Sequence, residues 1–463
     1  MSGKRIVVVG GGSQFAAGLS ESLIDYSRDS LTGSTVVLLD IRPEHLEIVH
    51  GSASKLAAKV GTDIRFERTT DRRRAFDGAD YILNTFRPGS HEQQEQDETV
   101  PPKYGLQGNE TVGIGGIFMA CRVVPILKDI CADAQNLCPK AWFVNYTNPT
   151  QYVADAVRRI SDLRFISLCD GYVEMGDDLG LLLGVDPGDI TVYPGGSNHG
   201  MWIMRLTIQG KDGYPILRER LSRLSQAEIE RMYAKPAVVD FIGLKVKPEE
   251  IYEQFIAHYS FPFSLRLFQI YGLLPAPRYY WRYHMDQDAV IVQERSGHYV
   301  TMAGFFMERA VGGLLGGLDE RLERASRTIQ TTRRSGGGGH GDLAVRVIAA
   351  IENDLGEIFN VNVPNRGAVS NLPHDAVLEL AATVDQHGPH PFAVGPLPKE
   401  LLGYQYSLVL SQELAVDAAL SGSRNDLLKA ILAHPLIHSL DAAEKAMDEL
   451  LALQADWLPQ FRK

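Results

Sequence analysis

Cysteine is scarce in this chain: 463 residues hold four, Cys121, Cys131, Cys138 and Cys169. So few cannot build a disulfide scaffold, and their scarcity agrees with a reducing compartment. A cysteine with a special task is then a ligand or a nucleophile. Apolar runs are short, far below the roughly 20 residues that a membrane span requires. A secretory leader is also missing: residue 5 is already Arg, and the apolar run behind it is only Ile6 to Val9. These absences place the protein, as an expectation, in the cytoplasm with no membrane partner. Positive charge is limited too. Lys plus Arg number 46 against 57 Asp plus Glu, a formal net charge of −11, and no basic block breaks the mixed-sign pattern. Nucleic acid, whose phosphates reward clustered Lys and Arg, is excluded as a partner. What remains is an ordinary globular composition, 44% hydrophobic and 22% charged, on a chain long enough for two large domains.

The first forty residues read as strand, glycine turn, helix and strand. Arg5 to Val9 is a β-branched run fit for a strand covered on both faces, and Gly10-Gly11-Gly12-Ser13 follows at once. A helical stretch from about Gln14 to Tyr26 leads to a second apolar strand, Ser34 to Leu39, which ends in Asp40. Further strands are expected at Tyr81 to Thr85, Ala141 to Asn145 and Phe165 to Leu168, each separated from the next by enough chain for a helix. The pattern changes near residues 170 to 190. Thr191 to Tyr193 and Met201 to Ile208 read as strands joined through a turn-rich segment, helices are expected through much of 215 to 330, and 412 to 455 reads as helical and packed back on the body. Ser335 to Gly341 is a Gly-rich loop. The expected fold class is α/β: a Rossmann-type doubly wound parallel sheet over residues 1–185, then an α+β domain over 186–463 for substrate binding and oligomerisation.

A glycine turn between strand and helix lets the backbone approach a pyrophosphate, whose charge then sits on a helix N-terminus. Gly10, Gly12, Ser13, Gln14 and Phe15 are the candidate contacts. Asp40 would accept hydrogen bonds from the adenosine ribose and would repel a phosphate there, which favours NAD over NADP. Two features depart from the usual fingerprint: Phe15 stands where Gly or Ala is common, and Asp40 lies 28 residues past Gly12, against about 20.

A second constellation lies at later strand ends, where open α/β sheets bind ligands. Asn145-Tyr146-Thr147-Asn148-Pro149 follows one strand, Leu168-Cys169-Asp170-Gly171 the next, and Ser197-Asn198-His199-Gly200 comes thirty residues later. Cys169 and His199 could hold a metal with positions left open for a substrate's oxygens. The same pair also reads as a buried core cysteine and an unrelated histidine.

Taken in order, these segments resemble family 4 of the glycoside hydrolases, the NAD- and manganese-dependent glycosidases that stand apart from the two-carboxylate mechanism. The resemblance extends over Gly108-Asn109-Glu110-Thr111-Val112-Gly113-Ile114-Gly115-Gly116 with Arg122, over Pro277-Arg278-Tyr279-Tyr280-Trp281-Arg282-Tyr283, and over Asn365 to Val377. It implies NAD and a divalent metal, manganese foremost, as cofactors, with Cys169 and His199 as the metal ligands. It implies hydride abstraction from C3 of a sugar, removal of the acidified C2 proton by Tyr280 (or its neighbour Tyr279), and protonation of the leaving oxygen by Asp170. Water addition and return of the hydride complete a net hydrolysis. Asn148, Glu110 and Arg87 fall on the substrate side, and a homodimer or homotetramer is expected.

The segments look most like the branch acting on 6-phosphoglucosides, yet the two places where that branch carries phosphate-binding arginines read Gln94 and Ser335, with Arg333 and Arg334 beside the second. A bidentate phosphate site wants a fixed guanidinium fork. The expectation therefore leans to unphosphorylated small glycosides, with a 6-phospho-α- or β-glucosidase of the same mechanism as the alternative and the anomer left open. Two rivals come from other classes: a plain NAD-dependent 2-hydroxy acid dehydrogenase with Arg122 or Arg158 on the substrate carboxylate, and a non-catalytic NAD-responsive binding protein.

Overall fold

The computed structural model describes residues 3–169, 171, 173–233, 239–241, 244–246, 261–277, 280–287 and 342–462. Six strands run parallel in the order β3-β2-β1-β4-β5-β6: β1 (Arg5–Val9), β2 (Thr35–Leu39), β3 (Arg65–Thr69), β4 (Tyr81–Asn84), β5 (Trp142–Asn145) and β6 (Arg164–Ser167). This is the doubly wound order, with its switch point between β1 and β4. The apolar runs foreseen as strands form the middle of the sheet. Strand β3, Arg-Phe-Glu-Arg-Thr, is an addition: it lies at the edge, largely exposed, where charged side chains discourage pairing with another chain.

The sheet continues past β6 in the opposite sense. Downstream strands are β7 (Ile190–Gly196), β8 (Met201–Ile208), β9 (Lys211–Asp212), β10 (Val239–Phe241), β11 (Leu244–Val246), β12 (Leu274–Ala276), β13 (Glu357–Pro364), β14 (Val377–Asp385) and β15 (Gly388–Pro391). Strand β13 joins β6 antiparallel, and β14, β7, β8 and β12 follow as antiparallel neighbours, while β10 and β11 form a separate hairpin. One thirteen-stranded sheet thus carries both the parallel and the antiparallel parts.

Helices Gln14–Tyr26, Pro43–Val60 and Asp342–Asn353 bury their apolar stripes on one face of the sheet. The other face is covered by Gly113–Leu137 and Thr150–Ile160, and by the C-terminal helices Lys399–Ser421, Arg424–Ala433 and Leu440–Leu453, which return to the body as the sequence suggests. Among the described residues, no helix is long and apolar enough to cross a membrane.

The strand ends line up. Leu39, Val9, Asn84, Asn145, Ser167 and Asn362 are successive register partners across six strands. Four of them, Asn84, Asn145, Ser167 and Asn362, are polar and almost wholly buried, and the first three satisfy one another. Asn84 Nδ2 donates to Asn145 Oδ1 (2.8 Å), and Asn145 Nδ2 donates to Ser167 Oγ (2.7 Å). This ladder fixes the line from which the loops after β1, β2, β4, β5 and β6 all depart.

Candidate active site

The glycine turn sits at the switch point and is closed by backbone bonds. The N–H groups of Gly10 and Gly11 both donate to Leu39 O (2.9 Å each). Gly10 has φ +86°, and a Cβ there would come within 2.9 Å of the Phe86 backbone, so only glycine suits it. A Cβ on Gly11 would meet the Leu38 backbone at 2.8 Å. The backbone therefore presents a bare cradle ahead of the helix, with Ser13 capping it by accepting from Ala16 N (3.1 Å). Asp40 stands across the cradle and accepts from Gly12 N through Oδ2 (3.0 Å) and from Arg42 N through Oδ1 (3.1 Å). The turns at 27–33, between the helix and β2, take up the extra residues between Gly12 and Asp40. Phe15 packs its ring on Tyr146, centroids 5.1 Å apart, tying the turn to the segment after β5. These features fit the pyrophosphate and ribose of a dinucleotide. The Gln14 side chain lies outside the described residues.

The second group forms around His199, in the turn between β7 and β8. Its φ of +61° is unusual for a residue with a side chain, and its surroundings hold it. His284 Nε2 donates to His199 O (2.8 Å), Tyr404 OH donates to His284 Nδ1 (2.7 Å), and Gln405 accepts from Ser197 N (2.9 Å) while donating to Gly200 O. Asn198 donates to the buried Glu379. The ring of His199 is 3% exposed, and burial, aided by His284 nearby, pushes its pKa down to about 3. It is a neutral imidazole, as a metal ligand must be.

His199 Nε2 faces Cys169 Sγ at 3.4 Å. Metal–sulfur and metal–nitrogen bonds of about 2.3 and 2.1 Å put such donors about 3.1 Å apart at a right angle and about 3.6 Å apart at a tetrahedral one. The pair therefore fits one ion without rearrangement. The other three cysteines do not compete: burial pushes Cys121 and Cys131 up to about 12 and Cys138 up to about 11, and all are inert core thiols. No cluster of three or more His, Cys, Asp or Glu occurs among the described residues. Asp170, the expected acid, lies outside the described residues, as do Tyr279 and Arg333 to Gly341.

Tyr280 reaches the same place from far along the chain. Strand β12 pairs Ala276 with Met201, directly after the His199 turn, and Trp281 Nε1 donates to Met201 O and Ala276 O (3.3 and 3.2 Å). Tyr280 then stacks on His199, centroids 3.8 Å apart at 14°, with its hydroxyl 2.8 Å from Thr111 Oγ1. Thr111 also contacts His199 Nδ1 (3.2 Å). Glu110, its neighbour, pairs with Arg87 on the loop after β4. The Arg87 side chain is 42% exposed, so its guanidinium stays a cation. Asn148 Oδ1 lies 3.2 Å from Thr150 Oγ1, which is also 3.0 Å from Leu168 O beside Cys169.

The structure thus brings Arg87, Glu110, Asn148, Cys169, His199 and Tyr280 together beside the glycine turn. Sequence reasoning missed Asn109, Thr111, His284, Tyr404 and Gln405. Only the first two lay in a quoted motif, and nothing local marked their partners. Arg122 and Arg158, the anchors of the dehydrogenase reading, are occupied: Arg122 forks onto buried Asp97 and onto Gln454, and Arg158 onto Asp155. Gln94, 2% exposed, donates to Glu98 (3.1 Å).

Comparison with known proteins identifies the family. Residues 5–185 match the model described as Family 4 glycosyl hydrolase, and residues 195–437 match the Family 4 glycosyl hydrolase C-terminal domain. The chain is 30% identical to the "Probable 6-phospho-beta-glucosidase" of Bacillus subtilis strain 168, over 99% of this chain and 98% of the relative. It is 26% identical to the alpha-galactosidase of the same organism, over 99% and 100%. Among solved structures it is similar to the 6-phospho-beta glucosidase from Thermotoga maritima with manganese, NAD+ and glucose-6-phosphate, at a TM-score of 0.76 and 25% identity over 98% and 99% of the two chains.

Proposed function

The chain belongs to family 4 of the glycosyl hydrolases, and from that premise we propose that it cleaves small glucoside-like glycosides, using NAD and a divalent metal, manganese foremost. We assign the dinucleotide to Gly10, Gly12, Ser13, Gln14, Phe15 and Asp40, and the metal to Cys169 and His199. When bound, NAD supplies a hydride acceptor for C3 of the sugar, and the metal supplies a Lewis acid at the oxygens of C2 and C3. The protein's own groups do the rest. Tyr280 Oη, once ionised to the phenolate, would take the C2 proton, Asp170 would give a proton to the leaving oxygen, and Arg87, Glu110 and Asn148 would orient the sugar. Residues 1–185 carry the cofactor and 186–463 the remaining walls of the site.

The finer point is the substrate's sixth carbon. Where relatives that take phosphosugars are expected to place an arginine, Gln94 is buried and its amide is engaged by Glu98. Its partner Glu98 interacts electrostatically with Arg87, which pairs with Glu110 and lies near Asp97 and Arg122. A missing charge-assisted bond of ~1.5–3 kcal/mol weakens a phosphosugar by roughly ten- to a hundredfold. The reading is therefore an unphosphorylated substrate. The test compares nitrophenyl glucosides with and without a 6-phosphate, NAD and Mn2+ being present or withheld. The unphosphorylated compound should show kcat/KM at least equal to its phosphate. A clear preference for the phosphate that vanishes in the double variant Arg333→Ala, Arg334→Ala would overturn the reading.

A further inference from the structure

Thr111 is 1% exposed, carries no charge, and touches both His199 and Tyr280. Its hydrogen bonds can be assigned without ambiguity. Asn109 Oδ1 accepts from the backbone N–H of Thr111 (2.8 Å) and of Val112 (3.2 Å), which identifies that atom as the amide oxygen. Thr111 Oγ1 lies 2.9 Å from the same oxygen, so its hydroxyl proton must point there. The threonine oxygen is then left with two lone pairs and two neighbours. It accepts from Tyr280 O–H and from His199 Nδ1–H.

One consequence is a tautomer. With the proton on Nδ1, His199 presents a bare Nε2 to Cys169 Sγ and to whatever ion lies between them. The opposite tautomer would put a proton in the metal site and leave two acceptors facing one another at Thr111. We propose that Thr111, itself set by Asn109, is a positioning residue: it holds His199 in its metal-binding tautomer and aims the hydroxyl of Tyr280. The inference rests on Cys169 and His199 being the metal ligands. Partners at the remote nitrogen of a ligating imidazole commonly contribute 10- to 100-fold in metal affinity.

The test uses full-length protein stripped of metal, as wild type, Thr111→Val and Thr111→Ser. Valine keeps the shape and loses the hydroxyl; serine keeps the hydroxyl. Mn2+ affinity is read from the spectrum of the free ion, NAD affinity separately, and the His199 tautomer from nitrogen NMR of histidine-labelled protein. Thr111→Val should weaken Mn2+ about ten- to a hundredfold with NAD affinity and melting temperature unchanged, Thr111→Ser should bind as wild type, and wild-type His199 should carry its proton on Nδ1. Val binding Mn2+ like wild type, or a wild-type proton on Nε2, would overturn the proposal; the latter measurement decides alone if the Val variant fails to fold. Wild type binding no Mn2+ through Cys169 would instead sink the metal reading and this inference with it.

Discussion

A thiol and an imidazole 3.4 Å apart are the smallest unit of the chemistry proposed for this protein. Cys169 sits on a loop, and its sulfur meets the site more than the apolar interior. Cys169→Ser removes the soft ligand at little packing cost. Turnover should fall by more than the roughly hundredfold typical of losing an outer partner, while the melting temperature stays within about 3 °C. Thermal denaturation beside an Mn2+ activity assay checks this. A variant that unfolds at ordinary temperature would make Cys169 structural. At this scale the sequence was most legible where a residue's chemistry is its own. Cys169 and His199 could be paired as candidate ligands because thiol and imidazole bind metals, and Tyr280 could be named only through the family resemblance; the structure sets the three side by side. Thr111 could not be named, because a hydroxyl acquires its role from Asn109, His199 and Tyr280, which only the fold assembles.

At the scale of elements, the loops matter through where they leave the sheet. The glycine turn was legible because three glycines after a buried strand state a backbone requirement, and the structure shows it at Gly10, whose φ is +86°. Gly10→Ala adds left-handed strain and pushes on the Phe86 backbone. The expected cost is about 1–3 kcal/mol of stability, together with weaker NAD binding, measurable by chemical denaturation and by NAD titration. An alanine variant with wild-type stability and NAD affinity would mean that the turn is not the constrained cradle described here. Less legible were β13 and β14. They contribute Asn362 and Glu379 to the polar line across the sheet, yet they lie some 200 residues beyond the strands they extend. Periodicity speaks to local structure, and insertion of a late antiparallel pair beside β6 is a matter of tertiary packing. The exposed edge β3 was missed for the opposite reason: its charges suit an edge and hide the strand.

The whole molecule carries its C-terminal helices back to the glycine-rich start of helix Gly113–Leu137. His434 marks the junction, with Nε2 3.2 Å from Gly113 N. Burial, reinforced by His284, lowers its pKa from 6.5 to about 3. The folded state therefore refuses a proton that the unfolded chain accepts below about pH 6.5, so stability is full above that pH and is lost as pH falls toward 3. Each such group contributes a slope of about 1.4 kcal/mol per pH unit. His434→Gln should lose about 2 kcal/mol less than wild type between pH 7 and pH 5, as urea denaturation at the two pH values would show. Equal losses would place the histidine in water and contradict the packing of these helices.

The central claim is that one site unites a dinucleotide turn, a metal pair and a tyrosine to hydrolyse a glycoside through loss of its C2 proton. The most direct measurement is hydrolysis in deuterated water with NAD and Mn2+ present, followed by NMR of the released sugar. The account predicts deuterium at C2 and no accumulation of NADH. A sugar released with only hydrogen at C2 would contradict it.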